Sequence, residues 1–567
     1  MITLRKDGPA RAPLGRQQWV AFGALVTSCL AVLLVLLDNT VVIVALPTLA
    51  NRLDADFAGL QWVVDAYTLP FAGFLLMFGH LGDRIGRRRV LVGGLVGIAA
   101  MSVLGACAQS LTQVLIARAG MGVSAAAVFP ATLAIITTVY PTPRLRALGI
   151  AVWTAMAGFA VAIGPTVGGW LLEHFSWHAV FWVNVPAAVL VVVLGYVFVS
   201  ESRSGRTGSL DLPGVAVSIA GVSLLVWSFI EAPRHGWTSP VTIGGIFAAV
   251  VLLALFAAWE MRAEYPVLNV RLFRIRRFAL PAVALAVSYF AMFGFLFMVS
   301  QYFQGVLLMD PLTFGVHSLP FALAVGIAAP VATWLGYRYG HTPVVLAGMV
   351  ILSGGLMWAG QATVETTYWQ IPFGSMILMG GGLGVVTGPV TDSVMSSVPR
   401  SEVGAGSAVN DTTREVGGAL GIAVLGSVLF GKYRDIVAAK LDAYGPLANS
   451  FLTTRQRDLI ENSPISVLEI LNRPGLPAAV TDLDNPNSLV RVMQDATMQG
   501  WKNASMIMVA SVLVTAALFA VFMPWNRGES LIDGTGGRDD HEEDTLISGH
   551  PAGAMSSGYS RSTGSAR

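Results

Sequence analysis

Three ionisable residues lie inside long apolar stretches of this 567-residue chain: Asp38, Asp65 and Arg118. A charge in hydrocarbon is costly, so such residues face a bundle interior, pair with one another and mark ion or substrate paths. Asp38 sits in LLDNTVVIVALP, where a carboxyl group is expected to exchange protons; the plainer alternative is a structural acid bonded to Thr40 or a neighbouring helix. Arginine cannot release its proton at accessible pH, so Arg118 needs an acidic partner, and either Asp38 or Asp65 could supply it. Asp65 follows Trp62 and precedes Tyr67. A carboxylate among aromatic rings can hold an organic cation by charge and by cation–π attraction. Proton exchange is therefore assigned to Asp38 and Asp65, and cation binding to Asp38, Trp62, Asp65 and Tyr67. Glu231 and Asp392 fall near the ends of apolar runs, where water reaches them, while Asp411, Arg414 and Glu415 can neutralise one another.

The elements carrying these residues must cross a bilayer. The chain is 54% hydrophobic and only 12% charged, with a mean hydropathy of +0.66. Soluble domains average about 25% charged residues. Apolar runs near 20 residues recur from end to end, the length a helix needs to span hydrocarbon. The runs are continuous rather than alternating, so helices are expected and not a barrel. Fourteen spans follow, an even number that leaves both termini on one side. Arginines and lysines crowd the connections on that side, whereas the short loops opposite hold only Arg52 and Arg234. This asymmetry places both termini in the cytoplasm. Cys29 and Cys107 lie within apolar runs and imply no disulfide framework.

Gly79–Val90, GHLGDRIGRRRV, punctuates the apolar runs, and LGDRIGRRRV (81–90) returns worn down as LGYRYGHTPV (335–344). The glycines are expected to make a tight turn. The two loops stand eight spans apart, so two related six-span halves carry two extra spans between them. The expected division is a tail at 1–17, a six-helix bundle at 18–198, two inserted helices at 213–259, a second six-helix bundle at 279–523 and a disordered tail at 524–567. An external loop or hairpin at 431–500 lies within the second bundle, with a short helix expected around Ile465, Leu468 and Leu471. In the echo Tyr337 replaces Asp83, and His341, Thr342 and Pro343 replace three arginines, so only the first loop is expected to carry a charged latch.

Four motifs carry a family resemblance. They are Gly79-His-Leu-Gly82-Asp83-Arg84-Ile-Gly86-Arg87-Arg88, Leu37-Asp38-Asn39-Thr40 running to Pro47, Leu115-Ile-Ala-Arg118-Ala-Gly-Met-Gly122, and Gly164-Pro165-Thr-Val-Gly168-Gly169 preceded by Gly158. Together they resemble the major facilitator superfamily, and more narrowly its fourteen-span drug:proton antiporters. The second motif departs in carrying Ile43 where asparagine is usual. The resemblance implies an all-α polytopic membrane protein with a major facilitator fold. It implies that Arg118 takes part in proton coupling with Asp38 and Asp65, that Asp83 meets the start of the thirteenth span, around Gly404–Ser407, as a gate, and that the Gly158–Gly169 motif marks antiport. Gln301, Gln304 and the less usual Glu415 join the expected substrate-binding residues.

The implied activity is proton-driven export of lipophilic, cationic compounds across a bacterial cytoplasmic (inner) membrane, by a monomer. Its partners would be small molecules, protons and the lipid bilayer, with no nucleic acid and no cofactor beyond the proton gradient. There is no GxxxxGK[ST] loop for ATP, no Cys/His cluster for a metal and no nucleophile–histidine pairing for an enzyme. Dedicated export of an endogenous metabolite or lipid is the alternative on the same fold. A non-transporting sensor would have no use for the acids in the first two spans.

Overall fold

The computed structural model describes residues 14–53, 57–203, 211–264, 266, 268–399, 402–444, 452–453, 457, 460–461, 464, 466–471 and 476–523. The expected tail at 524–567, most of the tail at 1–17, and Ile465 lie outside the described residues. Among these residues, fourteen helices are long and apolar enough to cross a membrane. They are α1 (Leu14–Leu53), α2 (Phe57–Ile85), α3 (Arg87–Ala106), α4 (Leu111–Val139), α5 (Pro143–His174) and α6 (Ala179–Phe198). Next come α7 (Leu212–His235), α8 (Pro240–Glu260), α9 (Arg276–Gln301), α10 (Pro311–Tyr339) and α11 (His341–Ala359). The last three are α12 (Pro372–Ser396), α13 (Val403–Tyr444) and α14 (Leu489–Phe522). Each expected span has its helix.

Lipid offers backbone amides no partner, so each run closes its hydrogen bonds within itself. Side-chain caps begin several helices where the apolar runs begin. Ser110 accepts from the Gln113 amide, Asp211 from Gly214, Ser239 from Thr242, Asp310 from Thr313 and Ser488 from Arg491.

Two apolar cores divide the bundle. One is built chiefly from α1 to α6, and the other chiefly from α9 to α14. A third cluster fills the seam between them. Ala72 and Leu76 of α2 meet Val222 and Val226 of α7 and Ala405 and Ala408 of α13. The inserted pair therefore packs along the α2–α13 side, while α5 and α10 pack together on the other. This is the major facilitator fold with two added helices.

The 431–500 stretch is less of a loop than its composition suggests. Helix α13 continues to Tyr444 and α14 already starts at Leu489, with short helices Ser466–Leu471 and Ala478–Thr481 between them. Tyr433, Val437 and Leu441 build a small core with Val467, Ile470 and Met493. The Gln494 side chain donates to the Val306 carbonyl (3.0 Å), and Arg491 pairs with Glu365 (3.1 Å), fastening this cap to the second half.

Candidate functional site

The bundle has a basic end, carrying the loop between α2 and α3, and an opposite end. At the basic end α2 runs unbroken through Gly79 and Gly82 to Ile85. The turn rests on Gly86 alone, at φ 120°, a conformation that strains any residue with a Cβ. Glu201 closes over that glycine and accepts from the Arg88 amide (3.2 Å), with Arg89 3.6 Å from its carboxylate.

Gly79 has a different use, since a Cβ there would lie 2.5 Å from the Gly404 carbonyl oxygen of α13. This close approach lets Asp83 reach the first turn of α13. Its Oδ2 accepts the amides of Gly404 (2.8 Å) and Ala405 (3.2 Å), and its Oδ1 accepts from Arg87 (2.7 Å). The second guanidinium arm of Arg87 bonds the Thr138 hydroxyl. A buried carboxylate thus faces the positive end of a helix from the other half.

The echo loop repeats the arrangement with other chemistry, which corrects the expectation that only the first loop carries a charged latch. Gly340 stands at the Gly86 position with φ 98°. The Tyr337 hydroxyl lies 2.9 Å from the Pro143 carbonyl at the start of α5 and 3.2 Å from Asp392 of α12. His341, at the Arg87 position, and Arg146 approach the same carboxylate at 3.5 and 3.8 Å. The acid comes from α12 instead of from the loop.

Towards the opposite end, in the first half, Arg118 of α4 is fully buried. Its Nη1 donates to Asp38 Oδ2 (2.8 Å), its Nη2 to Asn39 Oδ1 (3.0 Å) and its Nε to the Val63 carbonyl (3.0 Å). The guanidinium also stacks 4.3 Å from the Tyr67 ring, whose hydroxyl donates to the Val35 carbonyl. Of the two acids offered to Arg118, these contacts go to Asp38. Asn184 of α6 completes the group, donating to Asp38 Oδ1 at 2.6 Å. Sequence reasoning missed Asn184, although an amide in the apolar run WVNVPAAV is a visible signal.

The glycines of α5 position this group. A Cβ on Gly164 would collide with Thr40, and one on Gly168 would press on Val41, so α1 and α5 touch through a small-xxx-small face. Gly158 and Gly169 instead face Val325 and Leu312 of α10, and Pro165 lies inside the helix.

The expected Trp62, Asp65 and Tyr67 cluster separates. Tyr67 points into the first half, whereas Trp62 is exposed. Asp65 is buried, about 200° around α2 from Tyr67, on the stripe of Leu69, Ala72 and Leu76 that faces α7 and α13. Gln301 is buried at the far end of α9, and Gln304 lies in a π turn, Tyr302–Val306, that follows. Both stand far along the bundle from Glu415.

Among the described residues, Arg414 of α13 is the buried cation of the second half. Its guanidinium lies 5.0 Å from the Trp153 ring of α5 and 5.0 Å from the Tyr289 ring of α9, and it donates to Thr391 (2.9 Å). Asp411 is fully buried beside it, and Glu415 lies within electrostatic reach of Tyr67, Tyr289 and Asp411. The two arginines are linked by rings. Tyr67, Phe71, Phe129 and Trp153 follow one another with centroids 5.8, 5.6 and 5.4 Å apart. None of Phe71, Phe129, Trp153 or Tyr289 was marked by its spacing.

A family model described as Major Facilitator Superfamily matches residues 28–422. The chain is 34% identical over 437 residues to "Multidrug efflux pump LfrA" of Mycolicibacterium smegmatis, covering 77% of this chain and 86% of that one. It is 31% identical over 442 residues to the "Tetracenomycin C resistance and export protein" of Streptomyces glaucescens, covering 76% and 80%. Among solved structures, a bacterial homolog of the human lysosomal transporter Spinster, inward-facing and unoccupied, matches with a TM-score of 0.55. That match covers 90% of this chain and 98% of the other at 15% identity, and so speaks to the fold alone. Sequence match, helix count and packing agree that this chain belongs to the Major Facilitator Superfamily.

Proposed function

We propose that this protein is a proton-driven antiporter that exports lipophilic cations from the cytoplasm, working as a monomer by alternating access. In this reading the basic end and both termini are cytoplasmic, the membrane is the bacterial inner membrane, and the proton gradient is the only energy source. The observation that carries the proposal is the Asp38–Arg118 pair at 2.8 Å, buried in a membrane helix bundle and bridged to α6 by Asn184. The multidrug and antibiotic exporters among the relatives support the direction of transport.

Asp38 ties three helices together while it is charged: α1 by its own backbone, α4 through Arg118 and α6 through Asn184. A proton arriving from outside removes that charge and weakens both bonds. Arg118 keeps its proton and is left with Asn39, the Val63 carbonyl and the Tyr67 face. Protonation thereby changes how α1 packs on α4, and this coupling lets a proton bias a two-state bundle. Only a difference in affinity between the states can shift that balance, so proton and cargo must prefer opposite states. Asp65, on the α2 face towards α7 and α13, serves as a second acid and as counter-charge to cargo. Each proton that crosses fully contributes about 2.3 kcal/mol per 100 mV.

Asp83 against Gly404, and Tyr337 against Pro143, hold the two halves together at the basic end. They act as the gate that must open for cargo to enter from the cytoplasm. Ethidium uptake into everted membrane vesicles, with and without an imposed pH gradient (lumen acidic), tests the proposal. Uptake should stop when the gradient collapses and slow in Asp65→Asn. Uptake that survives collapse of the gradient rules out antiport.

A further inference from the structure

Arg414 sits where a cargo cation would sit. Its planar guanidinium lies between two aromatic rings, 5.0 Å from each, in the geometry by which proteins hold organic cations. The two rings belong to different halves of the molecule. Trp153 is on α5, fully buried and fixed by its Nε1–H bond to Thr132 (3.0 Å). Tyr289 is on α9, in the same half as Arg414 itself. Alternating access moves one half against the other, so the two-ring slot closed over Arg414 is one the transport cycle takes apart.

The surroundings are not those of a finished structural ion pair. Arg414 Nε, Asp411 Oδ2, Asn410 Oδ1 and Thr387 Oγ1 are all buried, and none has a hydrogen-bond partner among the described residues. Buried polar atoms are ordinarily satisfied, and an unsatisfied group is expensive. Three such atoms about a turn from the cation or from its partner Thr391, besides the cation's own Nε, mark a place that other polar or charged matter enters. The slot also ends the run of rings that starts at Tyr67, under Arg118. Arg118 stands seven residues, about 10 Å, from the start of α4, and Arg414 stands eleven residues, about 16 Å, from the start of α13 at the basic end. The rings thus join an aromatic face near one end of the bundle to one nearer the other.

We propose that Arg414 is a resident cation, filling a Trp153–Tyr289 site that a planar organic cation enters while the halves are apart and holds in place of Arg414 as the rings close again, with Asp411 and Glu415 as counter-charge. The inference deepens the proposed function, because it rests on the cargo being cationic. It also reverses the usual sense of a buried arginine. A structural arginine supports the site, and its loss weakens binding. A resident cation competes with the ligand, and its loss strengthens binding.

The test uses the purified full-length protein in lipid nanodiscs and ethidium as probe, with binding read by fluorescence anisotropy. Arg414→Gln should bind ethidium about tenfold more tightly than wild type, the scale of one desolvated cation–π competitor. Adding Trp153→Leu to Arg414→Gln should abolish that gain. Equal or weaker binding by folded Arg414→Gln overturns the proposal, as does a gain that survives Trp153→Leu. If Arg414→Gln does not fold, Arg414→Lys carries the same sign, because an ammonium cannot lie flat between two rings. Equal or weaker binding by folded Arg414→Lys then overturns the proposal. Failure of the wider reading looks different: gradient-independent uptake removes proton coupling and leaves these affinities intact. Absence of ethidium binding by both wild type and folded Arg414→Gln removes the cationic cargo and the resident-cation proposal together.

Discussion

Asp83 Oδ2 accepts the Gly404 amide at 2.8 Å across a sequence separation of 321 residues, and the two residues belong to opposite halves of the molecule. A hydrogen bond to a charged group contributes about 1.5–3 kcal/mol, and this carboxylate also accepts from Ala405 and Arg87. Asp83→Asn keeps the shape and removes the charge. Its expected effect is a shift towards the state open at the basic end. A cysteine introduced at Ala408 should then react faster with an impermeant maleimide added to everted vesicles. Unchanged labelling in Asp83→Asn would remove the latch from the account.

Gly79 and Gly82 lie three residues apart in one helix and should answer differently to the same change. A Cβ on Gly79 meets α13 backbone, whereas one on Gly82 meets nothing nearer than Arg87 Cγ at 3.9 Å. Gly79→Ala should lower stability by about 1–3 kcal/mol, the scale of overpacking. Gly82→Ala should be neutral or slightly stabilising, since alanine replaces glycine inside a helix. Thermal unfolding in detergent compares them, and equal losses would contradict the close α2–α13 approach.

Asn184 is expected to act through Asp38 and not by packing alone. In a double-mutant cycle on thermal stability, Asp38→Asn and Asn184→Ala should couple by about 1–2 kcal/mol, since residues in one hydrogen-bond network are not additive. A coupling near zero would separate Asn184 from the site.

The second latch predicts its own phenotype. Tyr337→Phe removes the hydroxyl shared by Pro143 and Asp392, a loss of about 0.5–1.5 kcal/mol. It should raise maleimide labelling at the basic end less than Asp83→Asn does. The double variant should label faster than either single one. A double variant no faster than Asp83→Asn would show that the echo loop carries no share of the closure.

Much of this was legible in the sequence where a charge stood in an apolar run. Asp38 and Arg118 announced themselves by cost, and Asp83 by the motif around it. The helix count followed from runs of bilayer length. What the residues did not disclose was direction. In a membrane bundle the lipid and the core are both apolar, so hydrophobic spacing does not tell the face of α2 that carries Tyr67 from the one that carries Asp65. Trp153 and Tyr289 look like any other ring in a span until the fold places Arg414 between them. The echo loop misled for a related reason. Tyr337 and His341 read as lost charge, because their acid, Asp392, arrives from a helix 55 residues further along. The length of α13 and α14 was hidden too, since their extensions bury apolar residues against each other beneath a mixed-charge sequence.

The claim on which the rest depends is that Asp38 carries the proton exchanged for cargo. Everted vesicles acidified inside by respiration, with a lumenal pH dye, measure this directly. Adding ethidium should release lumenal protons from vesicles holding the wild-type protein and none from vesicles holding Asp38→Asn at equal expression. Ethidium-dependent proton release by Asp38→Asn at the wild-type rate would contradict the account.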